Sequence, residues 1–277
     1  DERAQAVSQG QLGTLAMQQR DYEEARLRCA EALEAFARLG ETRQRAIVLH
    51  QLGMVAEEEA KRADDPGRRN ELLEEAEARY RESVRLEENV GNNAGAAQSA
   101  NQLAIVAEYA GRPADAERWY GRTIDLERNA GVPPSELAKD YNNLANLLLN
   151  VHRMDDGERP EEFDGRDLPA EAEQWARKAR RIKEDIDDPS VELWKTYGIL
   201  AGIADVREDV GAARAWRRKA RRAYAAFPGH WANLGKQWGP IARDFGRLVR
   251  GILPDERAEK LEAVLQQLSE TEDWSNL

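Results

Sequence analysis

A short leucine-centred segment recurs five times along this chain, and its spacing constrains the fold more than any other feature. The segments read QLGTLA, QLGMVA, QLAIVA, NLANLL and ILAGIA, and they align on Leu12, Leu52, Leu103, Leu144 and Leu200. The intervals between these leucines are 40, 51, 41 and 56 residues. They become nearly uniform, at 40 or 41, when two insertions of 11 and 15 residues rich in Pro, Gly and charge are set aside. Such a period is typical of a solenoid built from stacked, similar units.

Two columns of small residues predict that each unit contains two closely packed helices. The residue after the aligned leucine is always Gly or Ala, and an alanine follows 13 residues after the leucine once the insertions are removed. The first column contains Gly13, Gly53, Ala104, Ala145 and Ala201, and the second contains Ala25, Ala76, Ala116, Ala172 and Ala213. Small side chains on both helices allow their backbones to approach closely. We therefore predict an all-α solenoid of about five helix-turn-helix repeats.

The repeat pattern also suggests how the chain is divided. The array is expected to span residues 1–228, with insertions near 61–71 and 154–169 that have the composition of loops. Residues 229–277 break the pattern and place Trp231, Trp238 and Phe245 on one helical stripe, which is typical of a helical cap over the last repeat. The chain starts at Asp1 and ends on TEDWSNL, which reads like the start of another helix, so we expect a longer native protein.

The units resemble the tetratricopeptide repeat, in which an aromatic residue and a Leu-Gly pair precede an alanine. Tyr141 and Tyr197 match the aromatic position. The period is near 40 rather than about 34. With this period, the segments NQLAIVAEYAGRPADAERWYGRTIDLERNAG and YNNLANLLL resemble the kinesin light chain variety of the repeat. Bacterial signalling proteins of the STAND/NB-ARC type carry similar arrays. The resemblance implies a right-handed superhelix that binds a peptide or partner protein in its concave groove.

The same resemblance implies that exposed residues on the first helix of each unit line this groove. The candidate binding residues are His50, Asn101, Gln102, Lys139, Asn142, Asn143, Asn146, Asn150 and Lys195. Asparagine amides both donate and accept hydrogen bonds, so they hold an extended peptide backbone with little dependence on its sequence. The alternative is that Asn142 or Asn143 caps or bridges neighbouring helices.

Composition argues against several partners. The net charge of -11 does not fit a general nucleic-acid binder, although basic runs occur between Arg177 and Arg222, where we favour solvated helix faces over a docking site. The sequence contains no window of about 18 consecutive apolar residues, so it predicts no membrane span. Cys29 is the only cysteine, so the sequence predicts neither a disulfide framework nor a thiolate zinc site, and it fits a reducing cytoplasm.

Nothing in the sequence predicts catalysis, a metal site or a cofactor. His50, His152 and His230 lie in separate repeats without a second ligand four residues away, and the chain contains no HExxH or GxSxG motif. A column of tryptophans on the second helices is expected to pack between units rather than form an aromatic cage. These tryptophans are Trp119, Trp175 and Trp216.

The sequence therefore favours a non-enzymatic scaffold for protein or peptide binding, as the sensor or adaptor part of a larger bacterial signalling protein. Ligand capture would change the curvature of the superhelix and so act on an attached effector. The main alternative is a structural self-assembly module, which a concentration-dependent mass would reveal. A third hypothesis is a hydrolase or transferase that uses acids of the 155–173 loop, but no base or nucleophile is positioned beside them.

Overall fold

Ten α-helices form the framework of the residues that the computed structural model describes, which are 1–155, 157–186 and 188–225. The helices are α1 (Glu2–Gln18), α2 (Tyr22–Arg38), α3 (Thr42–Ala60), α4 (Pro66–Asn89), α5 (Asn93–Tyr109), α6 (Pro113–Ala130), α7 (Pro134–His152), α8 (Leu168–Ile186), α9 (Leu193–Val206) and α10 (Val210–Ala225). The described part of the chain contains no strand. The prediction of an all-α solenoid is confirmed, and the expected cap at 229–277 lies outside the described residues.

The helices pair in chain order as five hairpins, and each helix packs mainly against its neighbours in sequence. This nearest-neighbour organisation is characteristic of solenoid proteins. Odd-numbered helices of successive units also contact one another, as α1 does with α3, α3 with α5, and α7 with α9. Because the odd-numbered helices approach one another more closely than the even-numbered helices do, they form the inner face of the array.

Small residues set the distance between the two helices of a hairpin. A Cβ atom added to Gly53 would lie 2.6 Å from the ring of Tyr80, and one added to Gly13 would lie 2.5 Å from the Cys29 sulfur. The predicted alanine column is buried at every position. The leucine column has one exception: Leu12 is 47% exposed, because among the described helices α1 packs mainly against α2 and, more weakly, against α3.

The turns fall into two sets along opposite edges of the array. Three-residue turns lead from one unit to the next at 39–41, 90–92 and 131–133, and each contains a glycine with positive φ. The turns within units one, three and five also have three residues, whereas those within units two and four carry the insertions. Both insertions therefore lie along the within-unit edge.

The first insertion differs from the predicted loop at 61–71. Only residues 61–65 lie between helices, because Pro66 is the first residue of α4 and the 24-residue helix absorbs the rest. The Asp65 carboxylate accepts hydrogen bonds from the backbone N–H groups of Gly67 and Arg68 at 3.0 and 3.4 Å. An aspartate N-cap followed by proline starts a helix efficiently, since proline needs no N–H partner at this position.

The second insertion, predicted at 154–169, packs onto the array. A short 3-10 turn spans Glu161–Phe163, and Phe163 is only 1% exposed. Arg166 donates hydrogen bonds to Glu117 of α6 at 2.6 Å and to Glu171 of α8 at 2.5 Å. Residues 168 and 169 already belong to α8. These contacts attach the insertion to two units.

Candidate functional site

A groove crosses the odd-numbered helices as three cavities that share lining residues. The first cavity, of about 240 Å³, lies between α1 and α3. The second, of about 470 Å³, crosses α3, α5 and α7, and the third, of about 570 Å³, lies between α7 and α9. His50 lines the first and second cavities, while Lys139 and Asn143 line the second and third. The shared residues make the three cavities one continuous groove.

The second cavity is acidic, because Glu127, Glu136 and Asp140 line it together with Lys139. Asp140 is 5% exposed and accepts hydrogen bonds from the side-chain amides of Asn101, at 2.6 Å, and Asn143, at 3.4 Å. Burial and the neighbouring Asp140 raise the pKa of Glu127 to about 8, and burial also raises the pKa of Asp140. At neutral pH the two carboxyl groups therefore share a proton. We call this the acidic cavity.

The third cavity is basic. It is lined by four cations and one carboxylate, namely Lys139, Arg153, Lys183, Lys195 and Glu192. Lys139 is paired with Glu136 at 2.8 Å, and Lys195 with Glu192 at 2.7 Å. Lys183 reaches the cavity from α8 and is 3% exposed, and burial lowers its pKa to about 8. We call this the basic cavity.

The asparagines of α7 occupy three different environments. Asn142 is 7% exposed, and its amide donates a hydrogen bond to the hydroxyl of Thr196 on α9 at 2.9 Å, so it bridges two units. Asn142, Asn143 and Asn146 all line the basic cavity, and of the three only Asn146 is exposed. Asn150 is exposed but lies outside the lining of the three cavities described above. Asn143 and Asn146 are thus the more accessible amides of α7 in this cavity.

His50 and Gln102 are half-buried in the acidic cavity. The Nδ1 atom of His50 lies 2.9 Å from the Ser99 hydroxyl, and its ring lies 5.3 Å from that of Tyr80. Burial lowers the pKa of His50 to about 4, so its imidazole is neutral at physiological pH. The Gln102 side-chain oxygen is buried and has no hydrogen-bond partner among the described residues.

The predicted tryptophan column is half-buried rather than enclosed. Arg81 of α4 lies over Trp119 of α6, with 5.1 Å between the guanidinium carbon and the ring centroid. Arg180 of α8 lies over Trp216 of α10 at 5.5 Å. Both contacts join neighbouring units, as packing between units requires.

Sequence reasoning missed Lys183, Arg153 and Glu127. A sequence signal for Lys183 does exist. Lys183 continues a helical stripe of fully buried alanines, which are Ala172, Ala176 and Ala179. A lysine on such a stripe is unusual, because burying an ammonium group is unfavourable. Arg153 and Glu127 carry no comparable signal, since both belong to ordinary charged runs.

The described part of the chain offers neither a membrane-spanning helix nor a metal-binding cluster. None of its helices combines the length and the apolar character that crossing a bilayer requires. Among the same residues, no three or more His, Cys, Asp or Glu side chains are grouped in a way suited to holding a metal ion.

Comparison with known proteins reveals similarity only at the level of structure. No protein-family model and no curated protein sequence matches the chain. The apo form of RapI superposes over 97% of this chain and 85% of its own, with a TM-score of 0.59 and 12% sequence identity. BtubC (BKLC) from P. vanneervenii matches over 83% of this chain and 93% of its own, with a TM-score of 0.49 and 18% identity. The likeness to RapI supports a tetratricopeptide-like helical repeat fold.

Proposed function

We propose that this protein is an interaction scaffold that holds an extended peptide, or an extended segment of a partner protein, in the groove over its odd-numbered helices. The continuity of the groove is the observation that carries this proposal, since the three cavities share His50, Lys139 and Asn143. Their volumes of about 240 to 570 Å³ suit side chains and short segments.

The lining of the groove favours a peptide over a compact small molecule. Asn143 and Asn146 offer donors and acceptors to a peptide backbone, and the acidic and basic cavities follow one another along the array. A ligand with cationic and anionic side chains in the complementary order would lie in one direction only. The order of the charged cavities therefore fixes the N-to-C direction of the bound peptide.

The scaffold would act as the sensor or adaptor part of a larger bacterial signalling protein in the cytoplasm. The resemblance of its repeats to arrays of STAND-type proteins supports this role. The acidic cavity spans α5 and α7, and the basic cavity spans α7 and α9, so a ligand that bridges these three helices would fix their spacing and thus the curvature of the array.

A peptide-library pull-down with matched variants tests the groove. The groove variant carries Gln98→Ala, Asn143→Ala and Asn146→Ala, which remove amides lining the acidic and basic cavities. The control carries Asn70→Ala, Asn89→Ala and Asn129→Ala, which remove exposed amides of α4 and α6. Circular dichroism first establishes that all three proteins are equally helical.

We expect peptides enriched by the wild-type protein to lose about tenfold or more in affinity for the groove variant, because several hydrogen bonds are lost together. The control variant should enrich the same peptides as the wild type. Equal enrichment by all three proteins would refute groove binding. Sedimentation over a range of concentrations would then test self-assembly.

A further inference from the structure

Lys183 presents a buried ammonium group to the basic cavity without a partner of its own. The residue is 3% exposed, and within the described residues it makes no hydrogen bond or ion pair. The nearby Glu192 is already paired with Lys195. A buried charge is normally paired, because its desolvation is unfavourable. An unpaired ammonium that lines a cavity therefore indicates a site for an anionic ligand.

The first turn of α9 adds a second source of positive potential. Its N-cap residue, Glu192, has a φ of 54° and accepts the Lys195 N–H with its carbonyl oxygen at 3.0 Å, but the Glu192 side chain does not cap the first backbone N–H groups. Trp194 and Lys195 of this turn line the same cavity as Lys183. The N-terminus of a helix attracts anions through these N–H groups and through the helix dipole.

A second cation lies at the other end of the basic cavity. The cavity follows α9 from Lys195 to Gly202, which is about 10 Å at the rise of an α-helix. Arg153 lies beside Gly202, because a Cβ atom added there would be 3.0 Å from an Arg153 guanidinium nitrogen. Among the described residues Arg153 has no carboxylate within ion-pair distance. In an extended peptide of polyproline II conformation, with three residues per turn and a rise of 3.1 Å, residues three positions apart face the same side and lie about 9 Å apart.

We propose that the basic cavity binds an extended acidic peptide segment, with one carboxylate at Lys183 and the start of α9 and a second carboxylate, three residues along, at Arg153. This assignment rests on the proposed scaffold function and names the chemistry of its ligand. Carboxylates match the available charge: Lys139 and Lys195 are already paired, so each end of the cavity offers one uncompensated cation.

Binding at this site is linked to the protonation of Lys183. Its pKa near 8 reflects burial, opposed by Glu192 and reinforced by Lys195 and Lys139, which face it from α9 and α7. A bound carboxylate favours the charged ammonium, so complex formation raises this pKa. Affinity should therefore fall as pH increases from 7 to 9.

Isothermal titration calorimetry with short capped peptides tests the assignment. The probe is Asp-Ala-Ala-Asp, and its matched controls are the amide analogue Asn-Ala-Ala-Asn and the closer-spaced Asp-Asp-Ala-Ala. Lys183→Met and Arg153→Gln each remove one cation, while Arg181→Met removes an exposed cation from α8 close to Lys183. We expect about tenfold weaker probe binding to the first two variants and unchanged binding to the third.

Amine acylation of the wild-type protein, followed by mass spectrometry, gives a readout that does not depend on folding of a variant. The acidic probe should slow modification of Lys183, and its amide analogue should not.

Equal binding of the acidic and amide probes, or equal probe affinity for Lys183→Met and wild type, would overturn the assignment. Library peptides that depend on the groove but bind equally well to Lys183→Met would refute the assignment of the basic cavity. They would leave the scaffold proposal intact. A library without groove-dependent peptides would refute the scaffold proposal itself.

Discussion

At the residue scale, His50 links the groove to the stability of the protein. Its imidazole is neutral and hydrogen-bonded to Ser99, and its pKa is lowered from 6.5 to about 4 by burial. Between these values the unfolded chain binds a proton that the folded chain does not. The contribution of the neutral His50 to the free energy of unfolding is therefore fully present above pH 6.5. It decreases as pH falls towards 4, by about 1 to 2 kcal/mol at pH 5. Urea unfolding at pH 7 and pH 5 measures the loss.

His50→Gln provides the control, because glutamine keeps a polar group near Ser99 and does not titrate. The variant should lose less stability than the wild type between pH 7 and pH 5. Identical losses in the two proteins would contradict the role assigned to His50.

Glu127 should have the opposite pH dependence. Its pKa is raised from 4.5 to about 8, chiefly by burial and then by Asp140, so the folded chain binds the extra proton. Its contribution to stability is thus present below pH 4.5 and is lost as pH rises through 8. Glu127→Gln should stabilise the protein by about 1 kcal/mol at pH 9 and by less at pH 6. Urea unfolding of both proteins at the two pH values tests this, and a larger gain at pH 6 would contradict it.

At the element scale, each hairpin depends on close approach of its two helices. Gly53→Ala would place a methyl group against the ring of Tyr80, which is fully buried and cannot move aside freely. We expect a net loss of about 1 to 3 kcal/mol, because overpacking outweighs the higher helix propensity of alanine. Thermal or urea unfolding measures the change.

Gly121 of α6 provides the matched control, because a Cβ atom added there meets nothing within 4 Å. Gly121→Ala should therefore stabilise the protein by about 0.5 to 1 kcal/mol, the gain in helix propensity alone. If Gly53→Ala stabilised the protein as much, the close contact would not limit the packing of this hairpin.

At the scale of the whole molecule, the array is held together by contacts between neighbours in sequence. Phe36 is 2% exposed in the core that α2 shares with its neighbours. Phe36→Ala should destabilise this end by about 3 kcal/mol, and because coupling decays along a solenoid, most of the effect should stay in α1–α3. Hydrogen exchange should accelerate there and remain unchanged in α7 and α8. Equal acceleration throughout would indicate fully cooperative unfolding.

The sequence predicted the repeating framework because that framework depends on small and apolar residues at fixed intervals. Gly53 and Ala76 show this, since local spacing places both at the hairpin interface. The first insertion was less predictable, because Asp65 and Pro66 fit a loop and a helix start equally well. The basic cavity was the least predictable part. It combines Lys183 with Arg153 and Lys195, and the stacking of α7, α8 and α9 decides which of their faces meet.

The two insertions have a practical consequence. Both lie on the within-unit edge, where α4 extends by additional turns and Arg166 ties the second insertion to α6 and α8. The three-residue turns that join units one to four on the opposite edge keep one length. The within-unit edge thus tolerates added sequence without altering the register of the stack. A reporter domain or an affinity tag placed in the short turn at 110–112 would use a position where this chain has twice accommodated extra length, in units two and four.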